Sequence, residues 1–484
     1  MQAEAASKTV TEMFPDSEIA RIFDDLAHDI TEGKRYTARF LSEHELEETV
    51  LGRGRPSAVP VRHADIDTAV RREPYVARRA HYGEPLGGCA FSGAVSAATS
   101  VGGMVTILHS PLSCAHYAMQ LQGMCALRRE VPGGSPIPGY LDPGVVCTAM
   151  GADDMVFGGS DLLVKAVDGA VRRGARSISV VTSCPSGIIG DDAADACAAA
   201  RIRHPDVDII LMEEDGNAKG DFMQGVVDGC ITLIRCLAVP GRKKPDSVNI
   251  IGVKTLASGT PQEISSVIGM LSDLGISVNC VFPASETVDG IRHIADAEAN
   301  LMINGDAFSR NLARFLSDEY GMECLPVPVR GGLEGTRAWV ECVAGRFGKQ
   351  DRAERLLLRI RERFDSALVP AAGALSGRRF VIMSTTRDIG WAMEALEGVG
   401  AAVEKIFVYR RPDHSSELDA DIPDDNPDIV YYSDGARVLD EINSLHPDVL
   451  LASYPITGLL PDIRQAPISV SAKSDPLDGV NLVH

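Results

Sequence analysis

Pro85-Leu-Gly-Gly-Cys-Ala-Phe-Ser-Gly-Ala94, His109-Ser-Pro-Leu-Ser-Cys-Ala-His-Tyr117 and Thr182-Ser-Cys-Pro-Ser-Gly-Ile-Ile-Gly-Asp-Asp192 set three cysteines, Cys89, Cys114 and Cys184, in short turns. The second turn follows the strand-like run Met104-Val-Thr-Ile-Leu108, and the third follows Ser177-Ile-Ser-Val-Val181. Both cysteines are therefore expected at the carboxyl ends of buried strands, the edge at which open α/β sheets bind ligands. Small residues beside each sulfur (Gly87 and Gly88, Ser113 and Ala115, Ser186 and Gly187) let backbone amides approach a bulky inorganic anion. Three thiolates converging there suggest an iron–sulfur cluster.

Outward from these turns, strand and helix patterns alternate. Val105–Leu108, Met155–Phe157, Ile178–Thr182 and Val207–Met212 read as strands, separated by helical stretches such as Ser160–Arg173. Such a βαβ series implies parallel pairing. A second series runs through Ser247–Val253, Val278–Phe282 and Ala299–Ile303 and closes near Leu325–Val329, with Pro240-Gly-Arg-Lys-Lys-Pro245 as the linker before it. A third runs through Arg378–Ser384, Lys405–Tyr409, Asp428–Tyr432 and Asp448–Ala452 to Ile468–Ser471, entered by the Arg- and Glu-dense helix Gln350–Leu368. The expected class is α/β, with three Rossmann-like domains at 76–245, 246–345 and 346–484, each a parallel β-sheet flanked by helices. A helical N-terminal arm at 1–75, with helical patterns at Asp16–Phe23 and Ser42–Glu48, precedes them.

Composition agrees with that reading. The 484 residues exceed one ordinary core, and 45% apolar residues with only 5% aromatic ones suit parallel sheets covered by helices. A net charge of -20 argues against a nucleic-acid partner. No run of eighteen apolar residues occurs, and Met1-Gln-Ala-Glu-Ala-Ala6 lacks a signal pattern, so a soluble cytoplasmic protein without a membrane partner is expected. In a reducing compartment, 11 cysteines argue for metal or core roles over disulfides.

Other readings of the cysteines stand beside the cluster. Isolated cysteines in an α/β protein are commonly core thiols. The absence of any Cys-x-x-Cys pair weakens a zinc ribbon or a thioredoxin-type centre. His109 and His116, flanking Cys114, read either as a fourth zinc ligand or as hydrogen-bonding groups around a site. Cys147 reads as a core thiol or as one near the cluster, and Cys125, Cys197, Cys230, Cys236, Cys280 and Cys342 read as core. Asp191 and Asp192 are expected to cap the helix after Cys184, and Glu213-Glu-Asp-Gly-Asn-Ala-Lys-Gly220 to form a solvated acidic turn after a strand.

Gly-Gly-Cys-Ala-Phe-Ser-Gly-Ala at 87–94, His-Ser-Pro-x-x-Cys at 109–114, Asp-Asp-x-Val-Phe-Gly-Gly at 153–159 and Cys-Pro-x-Gly-Ile-Ile-Gly-Asp-Asp at 184–192 resemble the successive motifs of the nitrogenase component 1 family. The resemblance extends over nearly the whole chain, with strong motifs only in the first Rossmann-like domain. It implies that Cys89, Cys114 and Cys184 ligate a P-cluster-like iron–sulfur cluster, (8Fe-7S) or (4Fe-4S), at a subunit interface. A homologous alpha-like partner subunit would donate the remaining ligands, in a heterodimer or an α2β2 heterotetramer. An ATP-dependent iron–sulfur reductase homodimer would dock nearby and deliver electrons for a second, catalytic iron–sulfur cluster held mainly by the partner. Where catalytic subunits of the family carry a cofactor cysteine, Asn300-Leu-Met-Ile-Asn-Gly305 has Asn304, and Cys324 reads as core; the chain resembles the beta-like subunits more. The expected activity is reduction of a small molecule, with methylthio-alkane carbon–sulfur cleavage as the preferred class. The alternative is a scaffold for nitrogenase cofactor maturation.

Overall fold

The structure, a computed structural model, describes residues 88–126, 144–216, 218–239, 241–255, 260–283, 286–409, 428–432, 435–453, 459–468 and 475–483. The arm expected at 1–75 lies outside them. Three parallel sheets follow one another along the chain. In the first, β1 (Val105–His109), β2 (Val145–Cys147), β3 (Ser177–Thr182) and β4 (Asp208–Glu213) lie in the order β2-β1-β3-β4. In the second, β5 (Lys244–Ile251), β6 (Ser277–Phe282) and β7 (Ala297–Met302) lie in the order β6-β5-β7. The third orders β8 (Arg379–Ser384), β9 (Ala402–Tyr409), β10 (Ile429–Tyr432), β11 (Val449–Ala452) and β12 (Arg464–Pro467) as β10-β9-β8-β11-β12. Every described pairing between these strands is parallel.

The helices around the first sheet are α1 (Ala90–Thr99), α2 (Leu112–Ala126), α3 (Asp154–Phe157), α4 (Ser160–Arg172), α5 (Cys184–Ile189), α6 (Ala193–Arg203) and α7 (Phe222–Leu237). Alternation along β3 explains the layering. Ile178 and Val180 pack with Leu163 and Val167 of α4 and Ala200 of α6 on one face, whereas Val181 joins Leu108, Met212 and residues of α1 and α7 on the other. The polar strand residues satisfy one another, Ser179 Oγ donating to Thr106 Oγ1 at 3.0 Å. α1 and α7 touch backbone to backbone: a Cβ on Gly93 would collide with the Phe222 carbonyl, and one on Gly225 with the Ala90 carbonyl. Small residues at this crossing therefore serve helix packing.

The second sheet is covered by α8 (Thr260–Leu274), α9 (Val288–Arg292), α10 (Ala307–Tyr320) and α11 (Gly332–Phe347). The long helix α12 (Gln350–Leu375) joins two cores: Ala353, Leu356 and Ile360 pack with the second sheet, and Phe364, Leu368 and Ala371 with the third.

Several local expectations are corrected. Met155–Phe157 is not a strand; it lies in α3, where Asp154 Oδ2 accepts the Gly151 amide at 2.8 Å and the Phe157 amide bonds to Asp153 O. The apolar run is three residues long, too short to compete with the acidic turn that starts it. The strand beside β1 is instead Val145–Cys147. The expected linker at 240–245 overlaps β5, which begins at Lys244; Pro245, lacking an amide proton, falls where the register with β7 shifts between Lys244 and Val248. Leu325–Val329 forms no strand, although a bridge joins Cys324 to Asn300 and the Val329 amide donates to Met302 O at 2.9 Å. The last strand among the described residues is Arg464–Pro467; of the strand expected at Ile468–Ser471 only Ile468 is described.

Candidate functional site

The first sheet has its topological switch between β1 and β3: from β1 the chain moves outward to β2, and from β3 it moves the other way to β4. The turns leaving β1 and β3 diverge, opening a crevice at the carboxyl edge. Cys114 stands in the first turn of α2, directly after β1, and Cys184 is the first residue of α5, directly after β3. Cys89 precedes α1 as its extended N-cap residue. It is held there because Ala90 N donates to Gly220 O at 3.0 Å and Phe222 N to Gly88 O at 2.9 Å. All three cysteines thus stand at helix amino ends.

The loop after β4 closes the crevice. A Cβ at Gly216 would stand 2.7 Å from the Cys89 Cβ, 3.4 Å from the Cys89 Sγ and 3.6 Å from the Cys184 Sγ, so both sulfurs border one point that only glycine leaves open. Cys89 is exposed, and Cys114 and Cys184 are partly exposed. Burial first and the nearby Cys89 second push the Cys114 thiol up, the Ser113 hydroxyl opposes them, and Cys147 adds a smaller upward effect. Among the described residues no three His, Cys, Asp or Glu side chains are grouped to hold a single ion. Two thiols bordering one point, with a third at the end of the neighbouring strand and no single-ion grouping, suit a cluster of several irons better than zinc.

His109 is not free to act as a ligand. Its ring is fully buried, Nε2 donates to Asp191 Oδ2 at 2.6 Å, and Nδ1 lies 3.1 Å from the Thr148 hydroxyl. Asp191 Oδ1 accepts the Gly159 and Asp192 amides at 3.1 and 3.0 Å. The expected helix-capping role is therefore corrected: Asp192 makes no side-chain cap, and Asp191 joins the end of β1 to the Phe-Gly-Gly turn and the segment after α5. His116 is exposed and meets Tyr117 edge to face.

Glu214, in the turn expected to be solvated, is 3% exposed, and its Oε2 has no hydrogen-bond partner among the described residues. Burial, with Asp228 of α7 and Glu213 adding to it and Lys219 opposing, pushes its carboxyl up to about 8 from the ordinary 4.5. The folded chain keeps this proton to about pH 8, whereas the unfolded chain releases it near 4.5. Its contribution to stability is thus fully present below the unfolded value and is lost as pH rises through the folded one. Glu214→Gln is expected to raise the urea midpoint at about pH 8.5 and to change it much less at about pH 5. An equal change at both values would refute the assignment.

Exposed apolar side chains stand on the helices that carry Cys114 and Cys184 and on the short helix α3. Leu112 and Tyr117 on α2, Phe157 on α3 and Ile188 on α5 are 65%, 69%, 75% and 71% exposed. Of the remaining thiols, Cys197, Cys230 and Cys280 are buried as expected, and Cys342 packs partly buried against the second core. Cys236, expected in the core, is exposed. The Cys125 side chain lies outside the description. Cys324 packs against the core, and burial together with Glu323 pushes its thiol up to about 12. At the second sheet's switch, between β5 and β7, Asn304 donates to Gly252 O at 3.5 Å and Lys254 pairs with Asp306 at 3.3 Å.

Comparison with known proteins fits this geometry. The family model described as Nitrogenase component 1 type Oxidoreductase matches residues 89–459. The chain is 26% identical over 330 residues to the nitrogenase iron-molybdenum cofactor biosynthesis protein NifE of Nostoc sp., covering 65% of each chain. It is 27% identical over 278 residues to the nitrogenase molybdenum-iron protein alpha chain of Methanothermobacter marburgensis, covering 56% of this chain and 57% of that one. A light-independent protochlorophyllide reductase chain of Roseobacter denitrificans is 26% identical over 368 residues, covering 75% of this chain and 67% of its own. The match thus spans less than two thirds of the first two relatives' own length. Among solved structures, nitrogenase Cp1 at pH 6.5 shares the fold with a TM-score of 0.63 and 18% identity, over 82% of this chain and 87% of that one. The chain belongs to the nitrogenase component 1 type oxidoreductase family.

Proposed function

We propose that this chain is one subunit of a nitrogenase-like two-component reductase, with Cys89, Cys114 and Cys184 holding an iron–sulfur cluster at the interface with a homologous alpha-like subunit. The observation that carries the reading is the placement of Cys89 and Cys184 around Gly216, with Cys114 in the turn that leaves β1 at the switch point of the same sheet, and with exposed apolar residues on α2, α3 and α5. An exposed apolar rim of that kind suits burial against a partner. When bound, the cluster supplies one-electron relay from an ATP-dependent iron–sulfur reductase toward a second, catalytic cluster. Asn304, spent on a backbone carbonyl at the second switch point, supports a beta-like role in which the partner holds most of that catalytic cluster. The substrate is a small molecule, with methylthio-alkanes as the proposed class and release of thiol or hydrocarbon as its check. The complex works in the cytoplasm.

The test is anaerobic purification with the co-expressed partner, followed by iron and acid-labile sulfide analysis. Cys89→Ala, Cys114→Ala and Cys184→Ala are each expected to lose most of the iron and to loosen the heteromer. Iron absent from the wild-type complex, or indifferent to all three changes, would sink the reading. The relatives described as cofactor biosynthesis proteins favour a second reading, a scaffold for nitrogenase cofactor maturation. In that case the bound cluster passes to an apo-enzyme; in a reductase it stays through turnover.

A further inference from the structure

Two of the three thiols meet at one opening. Measured from the place a Cβ at Gly216 would take, the Cys89 Sγ lies at 3.4 Å and the Cys184 Sγ at 3.6 Å, so the two sulfurs are no farther apart than those distances together. Glycine at 216 puts no side chain between them. Beyond the glycine's own chain neighbours, the three atoms nearest that point all belong to Cys89 and Cys184; Cys114, in the first turn of α2, is not among them. Cys89 is exposed and Cys184 partly exposed, and neither is in a disulfide. Both stand on lightly anchored backbone. Cys89 precedes α1 and pairs with Asp221 through an isolated bridge, and Cys184 begins α5, a helix of 6 residues that stops at Gly190 in the left-handed region. A disulfide needs its sulfurs about 2.05 Å apart and its Cβ atoms about 3.8 Å apart. The opening at Gly216 leaves the two side chains room to rotate toward each other and close that gap.

We propose that Cys89 and Cys184 form a reversible disulfide in the chain that has not yet received its cluster, and that the site loads iron only after this bond is reduced. The proposal rests on the cluster reading above for its consequence and on the Gly216 opening for its geometry. A bond between the two sulfurs withdraws both from iron, because the thiolate is the metal-binding form. The oxidant is a low-molecular-weight disulfide. The thiolate of Cys89, the more exposed residue, attacks one sulfur of that disulfide and releases one small thiol; the Cys184 thiolate then attacks the Cys89 sulfur of the mixed disulfide and releases the second. Two cysteine thiols thereby give up two electrons and two protons to one small disulfide, which becomes two thiols. A dithiol reductant runs the exchange backward. Disulfides of reducing compartments are of this transient, redox-sensing kind.

The test uses the full chain, stripped of iron with a chelator and exposed to oxidised glutathione, circular dichroism confirming that each form is folded. The wild type is expected to lose two thiols per chain and to give a monomer in which the peptides carrying Cys89 and Cys184 are joined. Reconstituted with its partner subunit, ferrous iron and sulfide, this form is expected to take up little iron, and dithiothreitol to restore both thiols and the iron uptake. Cys89→Ser and Cys184→Ser should each stop at a glutathione adduct on the remaining sulfur. Both thiols surviving the oxidant, or Cys89 joined to Cys114 or to a second chain, overturns the proposal and leaves the cluster reading untouched. Iron uptake that is the same with and without the bond, whether full or absent, overturns the lock together with the cluster reading.

Discussion

Gly225→Val is expected to lower stability by about 3 kcal/mol or more and to detach α1 from α7. The cause is steric and leaves little room for relaxation. A Cβ at position 225 meets the Ala90 carbonyl, and its neighbours along the crossing are Gly93, Ala94, Ala97 and Gly229, all already small. The two helices must separate, and the bonds from Ala90 N to Gly220 O and from Phe222 N to Gly88 O, which hold Cys89 in place, break with them. Urea unfolding provides the measurement. Gly345→Ala on the exposed side of α11 is the control: its Cβ meets nothing within 4 Å, so a gain of up to about 1 kcal/mol is expected there. A Gly225→Val midpoint near wild type would show that the helices can slide apart at no cost.

Asp191→Ala is expected to cost roughly 3 kcal/mol, since it strands two donors at about 1–3 kcal/mol each. The buried His109 Nε2 and the Gly159 amide both end on this one carboxylate, and the Asp191 side chain is itself only 2% exposed. Asp191→Asn keeps an oxygen acceptor and should lose about half as much. Equal stability of the alanine variant and wild type would mean that water replaces the carboxylate in full. The same change loosens the turn ahead of Asp191, whose amide bonds to Ser186 O within α5, the helix that Cys184 begins.

The parallel sheets were legible because β1, β3 and β4 are short runs rich in Val, Ile and Leu, bounded by turn residues. Two short segments misled for the same reason. Met155–Phe157 is apolar enough for a strand but follows Asp153 and Asp154, which start a helical turn; Val145–Cys147 is equally short, and its pairing with β1 comes from the sheet edge beside it. The acidic turn Glu213–Gly220 reads as solvated because its charges suggest water, yet Glu214 is buried beneath it.

Cys89, Cys114 and Cys184 could be singled out from their flanking motifs, since turn residues and strand ends are local properties. The partners of His109 and Asp191 and the closeness of two sulfurs to Gly216 required the folded chain. Sequence by itself determined the α/β class, the order of the sheets along the chain and the turns that carry the thiols, because these follow from short-range periodicity. Tertiary structure alone decided which turns share an edge, because strand order and register bring together residues far apart in the chain, and no local pattern encodes that neighbourhood.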